Sequence, residues 1–541
     1  MAVVISISLG CATLFVLWLT TKNRRKPTNP KDLPYPPGPK GLPLLGNALD
    51  MPAKEPWTKF AEWKKQYGDI IGLSVLGKGI IVVTSYEIAT ELLDDRGAIY
   101  SDRPVNRTFN EHGDWGNFLA MIHYGESFHR QRKMLNDFLN PSGARNYHEL
   151  LTEHSHELAS HLLQHPDKFA KYNRFHISSV ILNIVYGHKV NDENDEWING
   201  ADSAVTSAAE FGQMGAHPID LFAILGKLPY RIWGKNFVEK LGALKRGAYD
   251  IGPKPYIWTK EKVLSGTVGP SIVSALIEQY SLPDGTIQYE SDIYGSTGTV
   301  YLGGSDTSVT ALDGFVLSMM VHPEIQKKAQ QYIDEIISRE DRLPELSDLN
   351  ALPYISAVQK EILRWKPITP LGKAYAYHDF VDVLIISVEG LPHASIMADE
   401  YKGMFIPAGS MIITDVMSMV SNEDDFPDPY TFNPERYMDY SGEKPRLRSD
   451  VRDPFDIIFG FGRRACPGRH VAVAQMWIMC ATLLSVFDIK CPLDENGQEI
   501  RPDLEYVSSI TSHPKPFKSL FTPRSGRAVE LLKASLLVNE Q

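Results

Sequence analysis

The chain has 541 residues, of which 43% are hydrophobic, and its formal net charge of −11 gives no electrostatic support for a nucleic-acid partner. Its four cysteines, Cys11, Cys466, Cys480 and Cys491, exclude a disulfide framework and suit a reducing compartment. No linker or internal repeat divides the chain after residue 50. The pattern therefore predicts one large, mostly α-helical domain with a minor β component, covering 51–541.

The first 21 residues predict a membrane anchor. Residues 2–20 are almost wholly apolar or small and carry no charge, and the run has about the length that a bilayer core requires. Basic residues at 22–26 follow at once, and the positive-inside rule places this side in the cytosol. A cleaved signal peptide, the alternative, would carry its positive charge before the apolar run. We therefore expect a retained single-pass anchor, followed at 22–50 by a basic, Pro-rich hinge that acts as a semi-rigid spacer.

Short periodic segments follow the hinge. β-Branched runs around Gly77-Lys78-Gly79 predict a hairpin over 70–84, and helical periodicity marks 149–163, 314–337 and 355–365. The segment 295–316 is predicted to be a long helix interrupted at Gly303-Gly304, because each glycine inside a helix costs roughly 1 kcal/mol relative to Ala. A tolerated pair suggests that another group approaches the backbone closely there.

Five histidines fall close together between residues 148 and 165. His161 and His165 are separated by one helical turn, but no HExxH pattern is present, and no carboxylate or cysteine is seen to complete a ligand set. The group, which consists of His148, His154, His156, His161 and His165, is therefore predicted to be a solvated helix face and not a metal site.

Residues 459–468, FGFGRRACPG, hold the most informative motif. Cys466 lies between glycines, with two arginines before it and Pro-Gly after it. Nearby positive charge and backbone N–H donors keep a thiolate deprotonated, and glycine lets the backbone fold closely around the sulfur. A buried structural cysteine is the alternative for a lone Cys. A loose dinucleotide fingerprint from Gly460 to Ala465 overlaps the motif, but too little chain follows it for a dinucleotide-binding domain.

The complete pattern Phe-x-x-Gly-x-Arg-x-Cys-x-Gly resembles the haem-binding loop of the cytochrome P450 family, and the resemblance runs from the anchor through Pro523. It implies that Cys466 is the axial ligand of the iron of haem b and that Phe459 belongs to the cofactor-binding loop. A thiolate ligand pushes electron density onto the iron and favours O–O cleavage. The resemblance further implies that electrons come from NADPH through a partner reductase.

The pair Asp306-Thr307, directly after the two glycines, resembles the oxygen-activation motif of the same family. An acid followed by an alcohol offers a proton path, and the resemblance implies that Thr307 hydrogen-bonds dioxygen while Asp306 relays protons from solvent. A local helix irregularity with a capping group is the alternative for these residues taken alone.

Three residues match positions that hold the haem propionates in the family, namely Arg132, Arg464 and His393. Phe128 stands where the family usually has Trp, and because Phe has no hydrogen-bond donor, this departure leaves one propionate contact unsupported.

Three further residues resemble the family's buried structural triad: Glu361, Arg364 and Arg436. Taken alone, Glu361 and Arg364 would suggest only a surface ion pair.

Residues 373–390 form an atypical insert, because the family pattern passes almost directly from Gly372 to Leu391. The insert contains an apolar, strand-like run that is an aggregation hazard if exposed. We favour a short, frame-preserving intron left in the coding sequence. A genuine loop that reshapes the substrate channel is the alternative.

The overall resemblance is to fungal, microsomal-type monooxygenases of secondary metabolism and xenobiotic oxidation. It implies an apolar substrate of terpenoid, steroid or polycyclic aromatic type, contact with membrane lipid, and an NADPH-cytochrome reductase as partner. Arg130 and Lys133 are candidate docking residues, with a solvated helix face as the equal alternative. A haem-thiolate isomerase or dehydratase that uses no O2, or an inactive haem- or lipid-binding membrane protein, are the alternative functions.

The expected location is the endoplasmic reticulum membrane, with the catalytic domain in the cytosol. The one glycosylation sequon begins at Asn106 and is expected to stay unmodified in that topology.

Overall fold

The computed structural model describes residues 29–52, 55–192, 194–211, 218–221, 223–370, 391–508 and 511–539. The predicted anchor at 1–21 and the insert at 373–390 lie outside these described residues, and the predicted hinge is described from residue 29 onward.

Helices make up most of the described chain, and the strands form only small sheets, as the sequence predicts. The α-helices in chain order are α1 Pro56–Tyr67, α2 Tyr86–Thr90, α3 Gly97–Tyr100, α4 Glu126–Leu139, α5 Pro141–Arg145, α6 His148–Gln164, α7 Phe169–Tyr186, α8 Glu196–Phe211, α9 Pro218–Leu221, α10 Lys235–Ile251, α11 Pro253–Leu264, α12 Ile272–Tyr280, α13 Glu290–Val321, α14 Pro323–Glu340, α15 Pro353–Trp365, α16 Val416–Val420, α17 Phe455–Ile458, α18 Arg469–Val486 and α19 Gly526–Asn539. Shorter π-helical and 3₁₀ turns lie at Glu91–Asp95, Thr108–His112, Ala223–Lys227, Tyr230–Trp233, Leu346–Asp348, Pro434–Tyr437 and Gly462–Arg464.

The strands are short and form one four-stranded sheet and several two-stranded ones. They are β1 Ile70–Val75, β2 Lys78–Val83, β3 His393–Ala394, β4 Asp399–Tyr401, β5 Met404–Ile406, β6 Met411–Thr414, β7 Met438–Asp439, β8 Arg446–Leu447, β9 Phe487–Lys490, β10 Tyr506–Ser508, β11 Ser512–Pro514 and β12 Leu520–Pro523. The larger sheet has the order β1-β2-β6-β3. β1 and β2 are antiparallel, as the predicted hairpin requires, while β2 and β6 are parallel with Ile80 opposite Met411.

The helical core is organised around α13 and α18. α18 is apolar on nearly all sides and α13 is 32 residues long, and most of both helices is buried, as is expected of helices without a polar face. They pack against each other, α6 packs on α18, and α7 packs on α13. Among the described helices, only α18 is long and apolar enough to cross a membrane, but 78% of it is buried inside the protein, as in a core helix.

Two helix predictions are wrong in detail. α13 is continuous through Gly303 and Gly304, so the predicted interruption is absent. The predicted helix at 314–337 is instead two helices, because α13 ends at Val321 and Pro323 begins α14. Proline has no N–H and fits the first turn of a helix but not its interior.

The hinge lies along the sheet. The amide of Gly72 donates to the Pro37 carbonyl at 2.8 Å, and the Tyr35 hydroxyl donates to the Leu73 carbonyl at 3.0 Å. A side chain at Gly38 would meet the Gly72 carbonyl oxygen at 2.0 Å, so glycine permits this close approach. The predicted spacer is thus fixed to β1 over this stretch.

Candidate functional site

Cys466 closes a tight loop directly before α18. Its amide donates to the carbonyl of Phe459 at 2.8 Å, and Gly460 and Gly462 have φ angles of +74° and +53°. A Cβ at Gly462 would lie 2.1 Å from the carbonyl oxygen of Leu93. Glycine therefore allows both the left-handed backbone and the close contact with the π-helical turn at 91–95, and the loop is fixed before any ligand contributes.

Protein atoms surround much of the Cys466 side chain, although it retains solvent access. The resulting desolvation raises the pKa of its thiol, and this effect outweighs the amide of Gly468 and the charges of Arg132 and Arg469, which favour the thiolate. A cation bound at the sulfur would reverse the balance, because metal-bound thiols are deprotonated. The donors around the sulfur thus match a thiolate that ligates a metal.

Arg132 reaches this loop from α4. Its Nη1 donates to the carbonyl of Ala465, the residue before the cysteine, at 2.8 Å. Desolvation lowers the pKa of Arg132, but a guanidinium starts from so high a value that it stays charged at neutral pH. The structure therefore places Arg132, a predicted partner of a haem propionate, directly beside Cys466, the predicted ligand of the iron.

Arg464 extends from the other side of the loop. Its guanidinium donates to the carbonyls of Ser101 at 2.8 Å, Leu119 at 3.0 Å and Ile122 at 2.7 Å. These bonds use three of its five N–H groups. The same guanidinium lies 4.0 Å from the ring centre of Phe128, which is 2% exposed.

Phe128 therefore supports Arg464 through a cation–π contact, which sequence comparison with the family did not suggest. The departure from Trp removes a donor but keeps an aromatic face under the guanidinium. In the sequence, the only sign of this contact is that an aromatic residue lies one helical turn before Arg132.

His393 begins β3 and is buried next to two guanidinium groups. Its Nδ1 lies 2.9 Å from the carbonyl of Tyr100, so this nitrogen carries the proton and Nε2 carries the lone pair. Burial, then the charge of Arg103, lower the pKa of His393 to about 3, and the ring is neutral. Arg103 in turn is buried, and desolvation and the charge of Arg464 lower its pKa. Two cations brought together in this way are complementary to an anion such as a carboxylate.

On α13, the two glycines have different environments. A Cβ at Gly304 would lie 2.8 Å from Cδ1 of Ile181 on α7, so Gly304 allows close helix packing, as the predicted close approach requires. A Cβ at Gly303 would meet nothing within 4 Å, and Gly303 is exposed. The hydroxyl of Thr307, one turn later, donates to the Gly303 carbonyl at 2.6 Å. This face of α13 can therefore accept a small molecule next to the Thr307 hydroxyl.

Asp306 points instead into a polar network with the segment around β11. The hydroxyl of Thr511 donates to Oδ2 of Asp306 at 2.5 Å, and Nε2 of His513 lies 3.4 Å from Oδ1. The other ring nitrogen of His513 lies 2.8 Å from the hydroxyl of Thr310. Desolvation would raise the pKa of Asp306, but the hydrogen bonds and the charge of His513 together with Thr511 lower it overall. Asp306 is thus held as a carboxylate.

The contacts of His513 and Thr511 with Asp306 are features of the site that the sequence did not reveal. The two residues lie more than two hundred positions after Asp306, as the hydrogen-bond separation of 205 shows for Thr511. Neither belongs to a motif, so no local pattern points to them.

The predicted structural triad is assembled, with Glu361 and Arg364 buried and Arg436 nearly so. Arg364 donates two bonds to the Glu361 carboxylate, at 2.8 and 2.9 Å, and Arg436 donates a third at 3.1 Å. The hydroxyl of Tyr437 adds a fourth at 3.2 Å, and Glu361 is 0% exposed. The triad joins α15 to the turn at 434–437, and α15 packs on α18.

The two candidate docking residues differ. Arg130 is not a free surface cation, because it pairs with Asp292 and its guanidinium lies 4.1 Å from the ring centre of Tyr289. Lys133 is exposed. Arg130 is therefore held in an ion pair within the protein, and reductase docking through Arg130 or Lys133 stays a prediction.

The residues present fit a haem group. Cys466 has donors that stabilise a thiolate, and it directly precedes α18. The open helix face at Gly303 lies on α13, which packs on α18. Three cations complete the site: Arg103, Arg132 and Arg464. Cys466 would hold the iron, and the cations would pair with the propionates.

Comparison with known proteins agrees with this chemistry. A family model described as Cytochrome P450 matches residues 36–380 and 384–521. Cytochrome P450 monooxygenase ple1 of Rhodocybe pseudopiperita is 34% identical over 534 residues, covering 98% of this chain and 96% of its own. Cytochrome P450 monooxygenase 98 of Postia placenta is 36% identical over 507 residues, covering 93% of each chain. Tryptamine 4-monooxygenase of Psilocybe cyanescens is 34% identical over 504 residues, covering 92% of this chain and 94% of its own.

Proposed function

Because this chain belongs to the cytochrome P450 family of oxidoreductases, we propose that it is a haem-thiolate monooxygenase that inserts one oxygen atom of O2 into an apolar small molecule. The observation that carries the proposal is the Cys466 loop, whose backbone is closed by glycine and whose sulfur faces amide donors and Arg132. Bound haem supplies activation of dioxygen, with electrons from NADPH delivered by a partner reductase.

The chain's own residues have separate tasks on the two sides of this site. Cys466 would ligate the iron, while Arg132 and Arg464 would hold the propionates. His393, the third residue that the resemblance implies here, uses its one N–H on the Tyr100 carbonyl, so it would line the propionate side without donating to a carboxylate. Arg464 is already oriented by three backbone carbonyls and the ring of Phe128, so little of its conformational freedom remains to be lost on binding. Pre-oriented cations bind carboxylates more strongly for this reason.

Thr307 and Asp306 handle protons. The Thr307 hydroxyl, now bonded to the Gly303 carbonyl, can rotate to donate to a molecule on the open face of α13. Asp306, an ionised carboxylate, accepts a proton from the side of His513, whose side chain is 28% exposed and so reaches solvent. The path then runs from solvent through His513 to Asp306 and on to Thr307.

This acid–alcohol pair supports oxygen chemistry over the isomerase or dehydratase alternative, because a reaction without O2 needs no such proton path. The names of the relatives support the same reaction type, since all three are monooxygenases. One relative's name specifies tryptamine, an indole amine, so that name supports the reaction type and not a substrate class. For this chain the proposed substrate remains an apolar small molecule of terpenoid, steroid or polycyclic aromatic type in secondary metabolism.

Membrane anchoring belongs to the same proposal. The uncharged run at 2–20 and the basic residues after it support a single-pass anchor in the endoplasmic reticulum membrane, with the catalytic domain in the cytosol. Asn106 is 4% exposed, which supports the expectation that its sequon stays unmodified.

The test is product formation with an NADPH-dependent fungal reductase, on a panel of terpenoid, steroid and polycyclic aromatic compounds, with isotopically labelled O2. The full chain and a variant without residues 373–390 are compared. We expect labelled product that requires NADPH and O2 from at least one of the two forms. Product without NADPH or O2 would establish the isomerase or dehydratase alternative instead, and a protein that binds haem but yields no product in either form would support the inactive one.

A further inference from the structure

Three side chains on two consecutive helices converge in a part of the molecule that the haem site does not use. His154 and Glu157 lie on α6, and His176 lies on α7. Their ligand-capable atoms all lie within 4.8 Å of one another. His154 Nδ1 is 3.2 Å from Glu157 Oε2 and 3.3 Å from His176 Nδ1, and His176 Nδ1 is 3.5 Å from Glu157 Oε2.

These separations match the edges of a metal tetrahedron. Zinc binds His nitrogen at about 2.0–2.1 Å and carboxylate oxygen at about 2.0–2.2 Å, so its ligand atoms lie about 3.3–3.5 Å apart in tetrahedral geometry. Two of the three observed distances, 3.3 and 3.5 Å, fall in this range, and the third, 3.2 Å, is 0.1 Å shorter. A pair of helical residues at i and i+3 supplies two of the ligands from one face.

A second layer of contacts orients the buried ligand. The side chain of His176 is 0% exposed, and its other nitrogen, Nε2, lies 2.8 Å from Nδ1 of His161. The ring of His161 stacks on Tyr172 at 4.7 Å, which fixes its position. When His176 donates through Nε2, its Nδ1 lone pair points toward His154 and Glu157. Metal-ligating histidines commonly have such an outer hydrogen-bond partner.

Without a cation, the three groups are poorly matched. Two imidazole nitrogens and a carboxylate oxygen face a common point, and with neutral rings only the Nδ1–H of His154 is available to satisfy them. A divalent cation satisfies all three at once. A protonated His154 paired with Glu157 is the competing arrangement.

We propose that His154, Glu157 and His176 bind one zinc ion, with water as the fourth ligand. Glu157 is 38% exposed, so the open coordination position faces solvent and the ion can enter. Two His and one carboxylate are ligands that zinc prefers. The predicted solvated histidine face is wrong in its exposure, because His156 is 6% exposed and the other four histidines are only partly exposed. In this proposal the carboxylate is Glu157 and the third ligand comes from the next helix.

The ion would join α6 to α7. α6 packs on α18, which follows Cys466, and α7 packs on α13, which carries Asp306. Zinc would stabilise the helix pair that supports both sides of the haem site, without contact with the haem itself.

The test uses the untagged full-length holoenzyme, stripped with a mild chelator and dialysed against zinc chloride. Elemental analysis measures zinc separately from haem iron, and the melting temperature is followed with zinc or with magnesium. We expect one zinc per chain, a rise in melting temperature with zinc only, and nitrogen and oxygen ligands in the zinc X-ray absorption edge.

The variants to compare with the parent are His154→Gln and Glu157→Gln, because both side chains are partly exposed and their loss leaves the core intact. A change at His176 is avoided because this side chain is buried and its loss threatens folding. Each variant should lower zinc affinity at least tenfold. The matched control is His148→Gln, at the start of the same helix, which should bind zinc like the parent. Absence of zinc binding in the parent, sulfur in the coordination shell, or equal affinity in His154→Gln would overturn the proposal.

Discussion

The two sides of the haem site are built in different ways. The thiolate side is local: Cys466 is held by the carbonyl of Phe459, seven residues earlier, and by glycines within the same loop. The proton side is not local, since Asp306 on α13 is held by Thr511 and His513 from the far end of the chain. A local site depends on its own backbone, whereas a composite site depends on the packing of distant elements.

The difference also governs the charge state of each side. Backbone amides and Arg132 surround the sulfur, yet desolvation still raises the pKa of Cys466, so the thiolate needs the metal. Asp306 overcomes its desolvation with partners supplied by the protein, and its pKa is lowered. We therefore expect changes on the first side to act on ligation and changes on the second side to act on proton delivery.

The largest effect is expected from Cys466→Ser. The hydroxyl is a much poorer iron ligand, so product formation should be abolished, while helix content stays unchanged because the loop is closed through the backbone amide of residue 466. Product assays and circular dichroism measure the two results. Cys491→Ala, which removes a buried cysteine outside the loop, is the control and should retain activity. Turnover by Cys466→Ser would show that the thiolate side is misassigned.

Glu361→Gln should give the largest loss of stability. The change leaves the buried guanidinium of Arg364 and the nearly buried one of Arg436 without their counter-charge, at a cost of about 3–5 kcal/mol in the free energy of unfolding. Denaturant unfolding of the holoenzyme measures it. Glu435→Gln removes a partly exposed pair with Lys328 and should cost no more than about 1 kcal/mol. Equal effects of the two variants would show that the triad contributes no more to stability than a partly exposed ion pair.

Thr307→Ala acts on the proton side. Loss of the hydroxyl beside Gly303 should lower product formed per NADPH by roughly 100-fold and divert the electrons to peroxide, with ligation unaffected. Product, NADPH and peroxide are measured together. Thr307→Ser keeps the hydroxyl and should restore most of the coupling. Full coupling in Thr307→Ala would remove the hydroxyl from the proton path.

His513→Ala should have a smaller effect of the same kind, about tenfold on turnover, because His513 acts through Asp306 and not on the reacting atoms. The solvent isotope effect on turnover should increase as proton delivery becomes slower. Thr511→Ser, which preserves the hydroxyl that donates to Asp306, is the control. An unchanged rate and isotope effect in His513→Ala would confine the proton side to α13.

The smallest effect is expected on the pH dependence of folding stability. It comes from Asp313, a second acid on α13. Burial raises the pKa of Asp313 from 3.8 to about 6, although Asn173 donates to it at 2.7 Å. Between those pH values the folded state holds a proton that the unfolded state has released, so stability falls as pH rises.

Asp313→Asn should flatten this decline in melting temperature between pH 4 and 6. Asp306 changes the stability in the opposite direction, because its pKa is lowered in the folded state. Its contribution to folding stability is present above the pKa of the unfolded state and is lost as the pH falls through the pKa of the folded state. A decline in Asp313→Asn as steep as in the parent would mean that another group titrates there.

The features that the sequence predicts are local ones, and the features that it misses are built from distant elements. The Cys466 motif, the hairpin at 70–84, and the residues of the triad all depend on short patterns, and the structure places them together as those patterns imply. His513, Thr511 and the contact between Phe128 and Arg464 could not be predicted, because each depends on which distant elements pack together. The same reason applies to His176, which completes a cluster begun on another helix.

The measurement that tests the division most directly is the carbon-monoxide difference spectrum of the reduced protein. Parent, Cys466→Ser, Thr307→Ala and His513→Ala are compared at equal haem content. We predict a Soret band at the thiolate position in the parent and in both proton-side variants, and its complete loss in Cys466→Ser. A thiolate band in Cys466→Ser, or its absence from the parent, would contradict the assignment of Cys466 as the iron ligand.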